Sequence, residues 1–354
     1  SLRALTWGAH EARMRGADLV VMHALPRYEA DFPFFPPGRF EEAEARGHEV
    51  VAEAVALVRE THPDVAVVTE QPMQTPAQAL LERSGRAQVV ALGAKGEDEV
   101  VFVRGATEAI NLVAYSYPNK GRVLLSQLEH HSNIVPWQLA GWQVDVCPLT
   151  EDGKIDLDAA ERILTPEHEM VAFAHVSNVL GSVLDAPRAA ELAHSVDAKL
   201  LLDGCQAAPR LPVDVEAIGC DFYAMSAHKM YGPTGIGALW GRKELLEFMP
   251  PWQGGGSMID KVTFAETTYA PPPQRFEAGT PAIAEALAFA TACDFIEDIG
   301  LDTIEAHERS LVSQLREELA RIQGVRVFGP EDSLAIVSFE LPGVHPHDLG
   351  TILD

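Results

Sequence analysis

The feature that most constrains the fold is a series of apolar runs separated by segments with helical periodicity. The runs "MVAFAHVS", "LLLDGCQ" and "CDFYAMSA" are almost continuously apolar, without the alternation of a half-exposed strand. A strand that is apolar on both faces is typical of a parallel sheet covered by helices on both sides. The sequence therefore predicts an α/β protein with a mainly parallel central sheet.

Residues 1–94 show a shorter version of the same pattern. Helices alternate with strands at "ADLVVMHAL" and "DVAVVTE", Thr75 and Pro76 begin a further helix, and "QVVALGA" is a third strand. Only "KGED" separates this third strand from the next one, "EVVFV". Parallel strands need a crossover helix between them, so we interpret residues 94–99 as a fusion or truncation point.

Charge and cysteine content exclude several classes of function. A net charge of −25 repels nucleic acid and anionic membrane surfaces. No apolar run reaches the roughly 18 residues that a membrane span needs, and no secretory signal is visible. The four cysteines are scattered without a CxxC pair, which argues against a disulfide framework or a metal site and favours a reducing cytoplasm.

Lys229 stands in "SAHKMYGPTGIG", directly after the apolar run "CDFYAMSA". Ligands of open α/β sheets bind just beyond the carboxyl ends of the strands, where this lysine is predicted to lie. A lysine amine there can attack an aldehyde if its surroundings keep it unprotonated. Taken alone, Lys229 is more simply an ordinary loop lysine.

Asp203 ends the apolar run "LLLD", where a carboxylate is costly unless it is paired with a cation. The protonated ring nitrogen of pyridoxal phosphate is one such partner, and Gln206 could reach the ring hydroxyl. Alternatively, Asp203 only caps the turn that follows. Asn178 ends another apolar run and suits either a substrate contact or a turn.

A candidate phosphate site begins at "RGATEAIN", where a strand turns into a helix. The free N–H groups at Ala106 and Thr107, the Thr107 hydroxyl and the helix dipole favour an anion, to which Ser226 and His228 could add donors. Thr107 is otherwise a simple helix cap. His130 in "LEHHSN" could lie flat on an aromatic cofactor, or be a solvated histidine. These features coincide at the strand ends of one sheet, which favours pyridoxal phosphate.

Residues 95–354 resemble the class V aminotransferases, the type I fold of pyridoxal-phosphate-dependent transferases, and specifically the SufS-type cysteine desulfurases. The resemblance rests on motifs in family order: "RGATEAINLVAYSY", "EHHSNIVPWQ", "HVSNVLGS", "DGCQA", "CDFYAMSAHKMYGPTGIGALWG", "PPWQGGGSMI", "RFEAGTP" and "GVHPHDLGTILD". It implies a cofactor-binding large domain over 95–284 and the start of a small domain over 285–354.

The resemblance implies a role for each candidate residue. Lys229 would hold the cofactor covalently, His130 would stack on its ring, Asp203 would face the ring nitrogen and Gln206 the ring oxygen. The remaining roles would be phosphate binding by Ala106, Thr107, Ser226 and His228, a contact from Thr280 to a partner subunit's cofactor in a homodimer, and substrate binding by Asn178. The implied reaction converts L-cysteine to L-alanine and leaves a persulfide, which a sulfur-acceptor protein would take up for iron–sulfur cluster assembly.

One departure from the family pattern qualifies that expectation. The family's nucleophilic cysteine lies in a loop after the segment matching "HPHDLGTILD", and none of Cys147, Cys205, Cys220 and Cys293 stands in such a context. The chain is therefore expected to be incomplete and inactive as a desulfurase. A selenocysteine lyase, or another lyase or aminotransferase of this class, shares every motif and stays an alternative.

Residues 1–94 resemble part of a universal stress protein instead. The matching segments are "ALTWGAHEARMRGADLVVMHALP" and "PAQALLERSGRAQVVALGAKG". That family often binds ATP through its first strand and a glycine loop after its fourth strand. Because the first strand is absent and "GAKGED" replaces the loop, we expect no nucleotide binding. A nucleotide-binding module fused to an inactive scaffold is the remaining alternative.

Overall fold

The structure is a computed structural model that describes residues 2–25, 39–72, 79 and 92–353. It divides into two compact units, residues 1–83 and 84–354. The sequence pattern predicted the first boundary at residue 94, whereas the structure divides after Arg83.

The first unit contains two helices and a pair of strands. Helix α1 (Leu2–Arg15), strand β1 (Leu19–Met22), helix α2 (Arg39–Thr61) and strand β2 (Val67–Glu70) follow in this order. The two strands pair in parallel, and a small core of Ala9, Ala12, Val58 and Val65 packs beside them. The two predicted helices and first two strands are confirmed, whereas the helix predicted at Thr75 lies outside the described residues.

The predicted strand "QVVALGA" is wrong at its described end. Leu92 is helical and almost fully buried, and Gly93 has the left-handed φ of 63° that commonly ends a helix. A short apolar run cannot distinguish a buried strand from a buried helix end by periodicity alone. No strand at residues 92–94 therefore precedes "EVVFV", and the rest of the predicted strand lies outside the described residues.

The second unit is built on a seven-stranded sheet with strand order β3-β9-β8-β7-β6-β4-β5. Strand β9 is antiparallel to both of its neighbours, and the other neighbouring strands pair in parallel, so the predicted mainly parallel sheet is confirmed. The strands are β3 (Val100–Val103), β4 (Arg122–Ser126), β5 (Gln143–Cys147), β6 (His168–Ala174), β7 (Lys199–Asp203), β8 (Phe222–Ser226) and β9 (Gly237–Gly241).

Helices accompany these strands along the chain. They are α3 (Ala106–Ser116), α4 (Val135–Leu139), α5 (Leu157–Ile163), α6 (Ala186–His194), α7 (Val215–Ile218) and α8 (Lys243–Phe248). No long helix forms over "QLEHHSNIVPWQLAGW", where the structure has only a 3-10 turn at His131–Asn133 and the short α4. The Ser132 N–H donates to the His130 side chain instead of a helical carbonyl, which ends helical pairing at this point.

The remaining elements follow β9 and α8. A hairpin of β10 (Ile259–Val262) and β11 (Thr267–Tyr269) comes first, and a second antiparallel pair is formed by β12 (Arg326–Phe328) and β13 (Ser338–Glu340). Three helices complete the chain: α9 (Ile283–Ile299), α10 (Leu301–Ala320) and α11 (Pro346–Leu353). Among the described residues, no helix combines the length and apolar character that a membrane crossing needs.

Candidate active site

The candidate site lies where β7 and β8 end side by side. Asp203, the last residue of β7, is in register with Ala224 on β8, and Ser226 ends β8 two residues later. A 3-10 turn, Ala227–Lys229, follows at once and leaves the Lys229 side chain half-buried. The chain therefore brings Lys229 and Asp203 to the same edge of the sheet, as the sequence predicted.

The start of α3 lies against the end of β8. The Ala106 N–H donates to Ser226 Oγ over 2.8 Å, and Ser226 is almost fully buried. Gly237 allows this approach, because a Cβ there would lie 2.4 Å from the Met225 carbonyl oxygen and 2.6 Å from Gly105 Cα. The Ala106 N–H, which the sequence predicted to be free for an anion, is thus occupied by Ser226, and the two residues form one tightly packed corner at a helix N-terminus.

A chain of hydroxyl and imidazole groups connects Thr107 to His130. Thr107 Oγ1 lies 2.7 Å from Ser132 Oγ, which is 3.1 Å from His130 Nδ1. The Ser132 N–H also donates to that nitrogen over 3.2 Å, so Nδ1 accepts and the proton of the neutral ring belongs on Nε2. Sequence reasoning missed Ser132, although a hydroxyl two residues after His130 in "HHSN" was a usable signal.

Asp203 is a buried carboxylate whose Oδ1 accepts a hydrogen bond from the Cys205 N–H over 3.0 Å, and it has no ion pair within the described part of the chain. The neighbouring wall is uncharged. Tyr223 is fully buried, its hydroxyl lies 3.1 Å from His175 Nδ1, and burial lowers the pKa of His175 to about 4. A buried carboxylate without a cation fits the protonated ring nitrogen of pyridoxal phosphate.

Gly204, between Asp203 and Cys205, is packed against that wall. A Cβ at this position would lie 2.0 Å from Tyr223 Cε1, a separation that real side chains do not reach. The segment after β7 can therefore approach the Tyr223 ring only because residue 204 has no side chain. The wall behind Asp203 is fixed by this contact.

All four cysteines are buried thiols. Burial is the main cause that raises the pKa of Cys147 to about 11 and the pKa of Cys205 and Cys220 still further. Cys205 Sγ lies 3.6 Å from Ser226 Oγ and is the thiol nearest to the candidate site residues. Because the thiolate is the nucleophile, Cys147, Cys205 and Cys220 are not poised for attack in this arrangement.

Gln206 is held by a neighbour that the sequence did not predict. Its side-chain oxygen accepts a hydrogen bond from Arg210 Nη1 over 2.8 Å, and Arg210 Nε lies 3.3 Å from Glu308 Oε1 on α10. The amide oxygen of Gln206 is thus occupied, which leaves its amide nitrogen as the group that can donate to a ligand. Arg210 sets the orientation of this amide.

Three predicted residues lie apart from these contacts. Within the described residues, no hydrogen bond joins His228, Asn178 or Thr280 to the other candidates. His228 is exposed, and Asn178 is half-buried in the loop after β6. Thr280 is exposed at a cleft of about 490 Å³ that Arg104, just before the start of α3, also lines.

A protein-family model, aminotransferase class-V, matches residues 49–354, which is most of the chain. The chain belongs to the class V aminotransferase family. The match begins at residue 49 and thus overlaps the segment 1–94 that resembles a universal stress protein.

Relatives of this class V aminotransferase carry the name cysteine desulfurase. A probable cysteine desulfurase of Halalkalibacterium halodurans is 45% identical over 270 residues, covering 74% of this chain and 66% of that protein. A cysteine desulfurase of Dickeya dadantii is 44% identical over 280 residues, covering 76% of this chain and 68% of that protein. The chain thus spans about two thirds of the length of these relatives.

Solved structures agree with the fold of this class V aminotransferase. The Escherichia coli cysteine desulfurase CsdA, in its S-sulfonic acid form, matches with a TM-score of 0.75 and 37% identity, over 78% of this chain and 71% of that one. The apo cysteine desulfurase of Thermococcus onnurineus matches with a TM-score of 0.74 and 35% identity, over 78% and 72%.

Proposed function

We propose that this chain forms the pyridoxal phosphate site of a cysteine desulfurase, with none of its four thiols placed to complete the reaction in the described arrangement. The observation that carries the proposal is the unpaired, buried carboxylate of Asp203 at the same sheet edge as Lys229, with the N-terminus of α3 beside them. A carboxylate, an amine and an anion site are what the ring nitrogen, the aldehyde and the phosphate of this cofactor require. The names of the relatives support the same conclusion.

Each group then has a task. Pyridoxal phosphate, when bound, supplies an electron sink for bond cleavage next to the amino-acid α-carbon. Asp203 would keep the proton on the ring nitrogen, Lys229 would hold the cofactor through Nζ, and His130 would stack on the ring. The phosphate would be held by the α3 N-terminus at Ala106 and Thr107 together with Ser226 and His228, the ring oxygen by Gln206, and the substrate by Asn178.

The 354-residue chain is expected to take up the cofactor but to form no alanine from L-cysteine. In the reaction, a thiol takes the substrate sulfur, so that cysteine and thiol become alanine and a persulfide. All four thiols here are buried, and burial favours their protonated form wherever a pKa shift is resolved. Alanine measured after incubation with L-cysteine tests this expectation. Alanine formation that is lost in Cys205→Ala would contradict it and identify the nucleophile.

A spectroscopic titration tests the proposed function itself. Adding pyridoxal phosphate to the apo chain is expected to give a bound cofactor whose absorbance changes when L-cysteine is added. L-Selenocysteine in the same titration distinguishes a desulfurase from a selenocysteine lyase, which would respond selectively to selenium. A chain that leaves the cofactor spectrum unchanged would contradict a pyridoxal-phosphate enzyme of either kind.

Finer assignments belong to the same proposal. We propose a SufS-type enzyme of the cytoplasm that forms a homodimer, in which Thr280 contacts the cofactor of the partner subunit, and that passes sulfur to an acceptor protein. Residues 1–94 stay a predicted universal-stress-type segment, and the parallel β1–β2 pair with two helices is compatible with that. An ATP titration of the full chain, expected to show no binding, tests the nucleotide-binding alternative.

A further inference from the structure

Glu129 is a buried carboxylate that none of the roles above uses. It is 8% exposed, and its oxygens accept hydrogen bonds from three different elements. Oε1 accepts from Ser126 Oγ over 2.5 Å and from the Ala174 N–H over 3.0 Å, while Oε2 accepts from Asn133 Nδ2 over 2.6 Å. No ion pair to Glu129 occurs among the residues that the structure describes. Such a network is rigid only while every member is satisfied.

The three donors connect the His130 side of the candidate site to the Asp203 side. Ser126 ends β4, and Asn133 belongs to the turn that follows His130. Ala174 ends β6 and is the register partner of Asp203. Asn133 is itself fixed, because Nδ2 also donates to the Ala172 carbonyl over 3.2 Å and Oδ1 accepts from Trp137 Nε1 over 3.0 Å. Glu129 therefore fastens the turn that carries His130 to the strand beside Asp203.

We propose that Glu129 is a positioning residue that holds His130 and the strand end at Asp203 in the arrangement that the cofactor ring requires. The effect on the cofactor rests on the proposed function, whereas the fastening of the turn to β6 exists without cofactor. Glu129 acts through its neighbours and does not touch the reacting atoms.

The charge of Glu129 adds an electrostatic consequence. Burial raises its pKa to about 7, the three hydrogen bonds oppose that rise, and the charge of Asp203 adds to it. Glu129 is thus neutral below about pH 7 and negative above it, where it favours a proton on the ring nitrogen next to Asp203. The other titratable groups on the elements around it are Arg122 on β4, Asp145 and Cys147 on β5, His168 and Glu169 on β6, His175 just after β6, and His130 and His131 at the turn.

Glu129→Gln is the decisive variant, since its amide NH₂ would face the Asn133 NH₂ and break one hydrogen bond. Glu99→Gln is the matched control: Glu99 is 5% exposed and accepts from Trp240 Nε1 over 3.2 Å and the Lys95 N–H over 3.1 Å, before β3. We expect Glu129→Gln to speed amide exchange at Ser132 and Ala174 about tenfold in the apo chain. It should also remove an inflection near pH 7 from the absorbance of bound pyridoxal phosphate. Glu99→Gln should change neither.

Unchanged exchange together with an unchanged pH profile in Glu129→Gln would overturn the proposal. Should that variant not fold, Ser126→Ala removes one donor and is expected to loosen the same two amides, so unaltered exchange there would overturn it equally. If the wild-type chain takes up no pyridoxal phosphate, the proposed function fails, and the exchange measurement on the apo chain still decides whether Glu129 fastens the turn.

Discussion

Lys229→Ala is expected to abolish the covalent attachment of pyridoxal phosphate. The turn Ala227–Lys229 directly follows β8, next to the end of β7 at Asp203, and no other lysine holds an equivalent position. A bond between a lysine amine and the cofactor aldehyde becomes permanent on borohydride reduction, so mass spectrometry of the reduced protein can locate it. The wild-type chain should carry one adduct, on Lys229, and the variant none.

Lys120→Ala provides the control for this experiment. Lys120 lies on the surface, where its Nζ donates to the Ala140 carbonyl, so its loss should leave the adduct intact. An adduct of undiminished yield in Lys229→Ala, located on any of the other six lysines, would disprove the assignment of Lys229. Noncovalent cofactor binding by the variant is compatible with the proposal, because Asp203 and the α3 N-terminus are unchanged.

Gly204→Ala is expected to give the largest loss of stability of any single methyl group added near the site. The new Cβ would lie 2.0 Å from Tyr223 Cε1, and the ring has no space to retreat because it is fully buried and its hydroxyl is bonded to His175. Overpacking of this kind costs about 1–3 kcal/mol and occasionally more. We expect a loss of at least about 3 kcal/mol in the free energy of unfolding, measured by urea denaturation.

Gly254→Ala is the matched control for Gly204→Ala. Its added Cβ meets no atom within 4 Å, and the residue has no left-handed φ, so the unfolding midpoint should stay the same. A Gly204→Ala protein as stable as the control would mean that Tyr223 can move and that the wall behind Asp203 is not fixed. Two features hold Tyr223 in place: the burial of its ring and the contact of its hydroxyl with His175. Tyr223→Phe separates them, because it keeps the ring and removes only the hydroxyl.

The central sheet and the position of the site could be predicted because they depend on local patterns. Strands that are apolar on both faces, such as "LLLD" and "FYAMS", indicate a parallel sheet that is covered on both sides. Parallel strands bring their carboxyl ends to one edge of the sheet. Asp203, Ser226 and Lys229 follow such runs directly, so knowing the sheet was enough to bring them together. The start of α3 at Ala106 was predictable for the same reason.

Other parts of the site depend on contacts between distant residues, which periodicity does not contain. The helical state of Leu92 and the 3-10 turn after His130 are set by packing and by side-chain hydrogen bonds rather than by propensity. The link from Gln206 through Arg210 to Glu308 spans about a hundred residues of sequence. The sequence gives no signal for Glu129, because a charged residue normally faces solvent, whereas here three donors from different elements surround it.

Because every thiol is buried, the reactivity of the four cysteines reports local unfolding of the structure around them. Cys147 lies at the end of β5, Cys205 after β7, Cys220 before β8 and Cys293 within α9, so each samples a different part of the second unit. An alkylating reagent can reach such sulfurs only when the surrounding structure separates. The order in which the four become labelled in increasing denaturant would therefore map which layers of the protein come apart first, without any engineered probe.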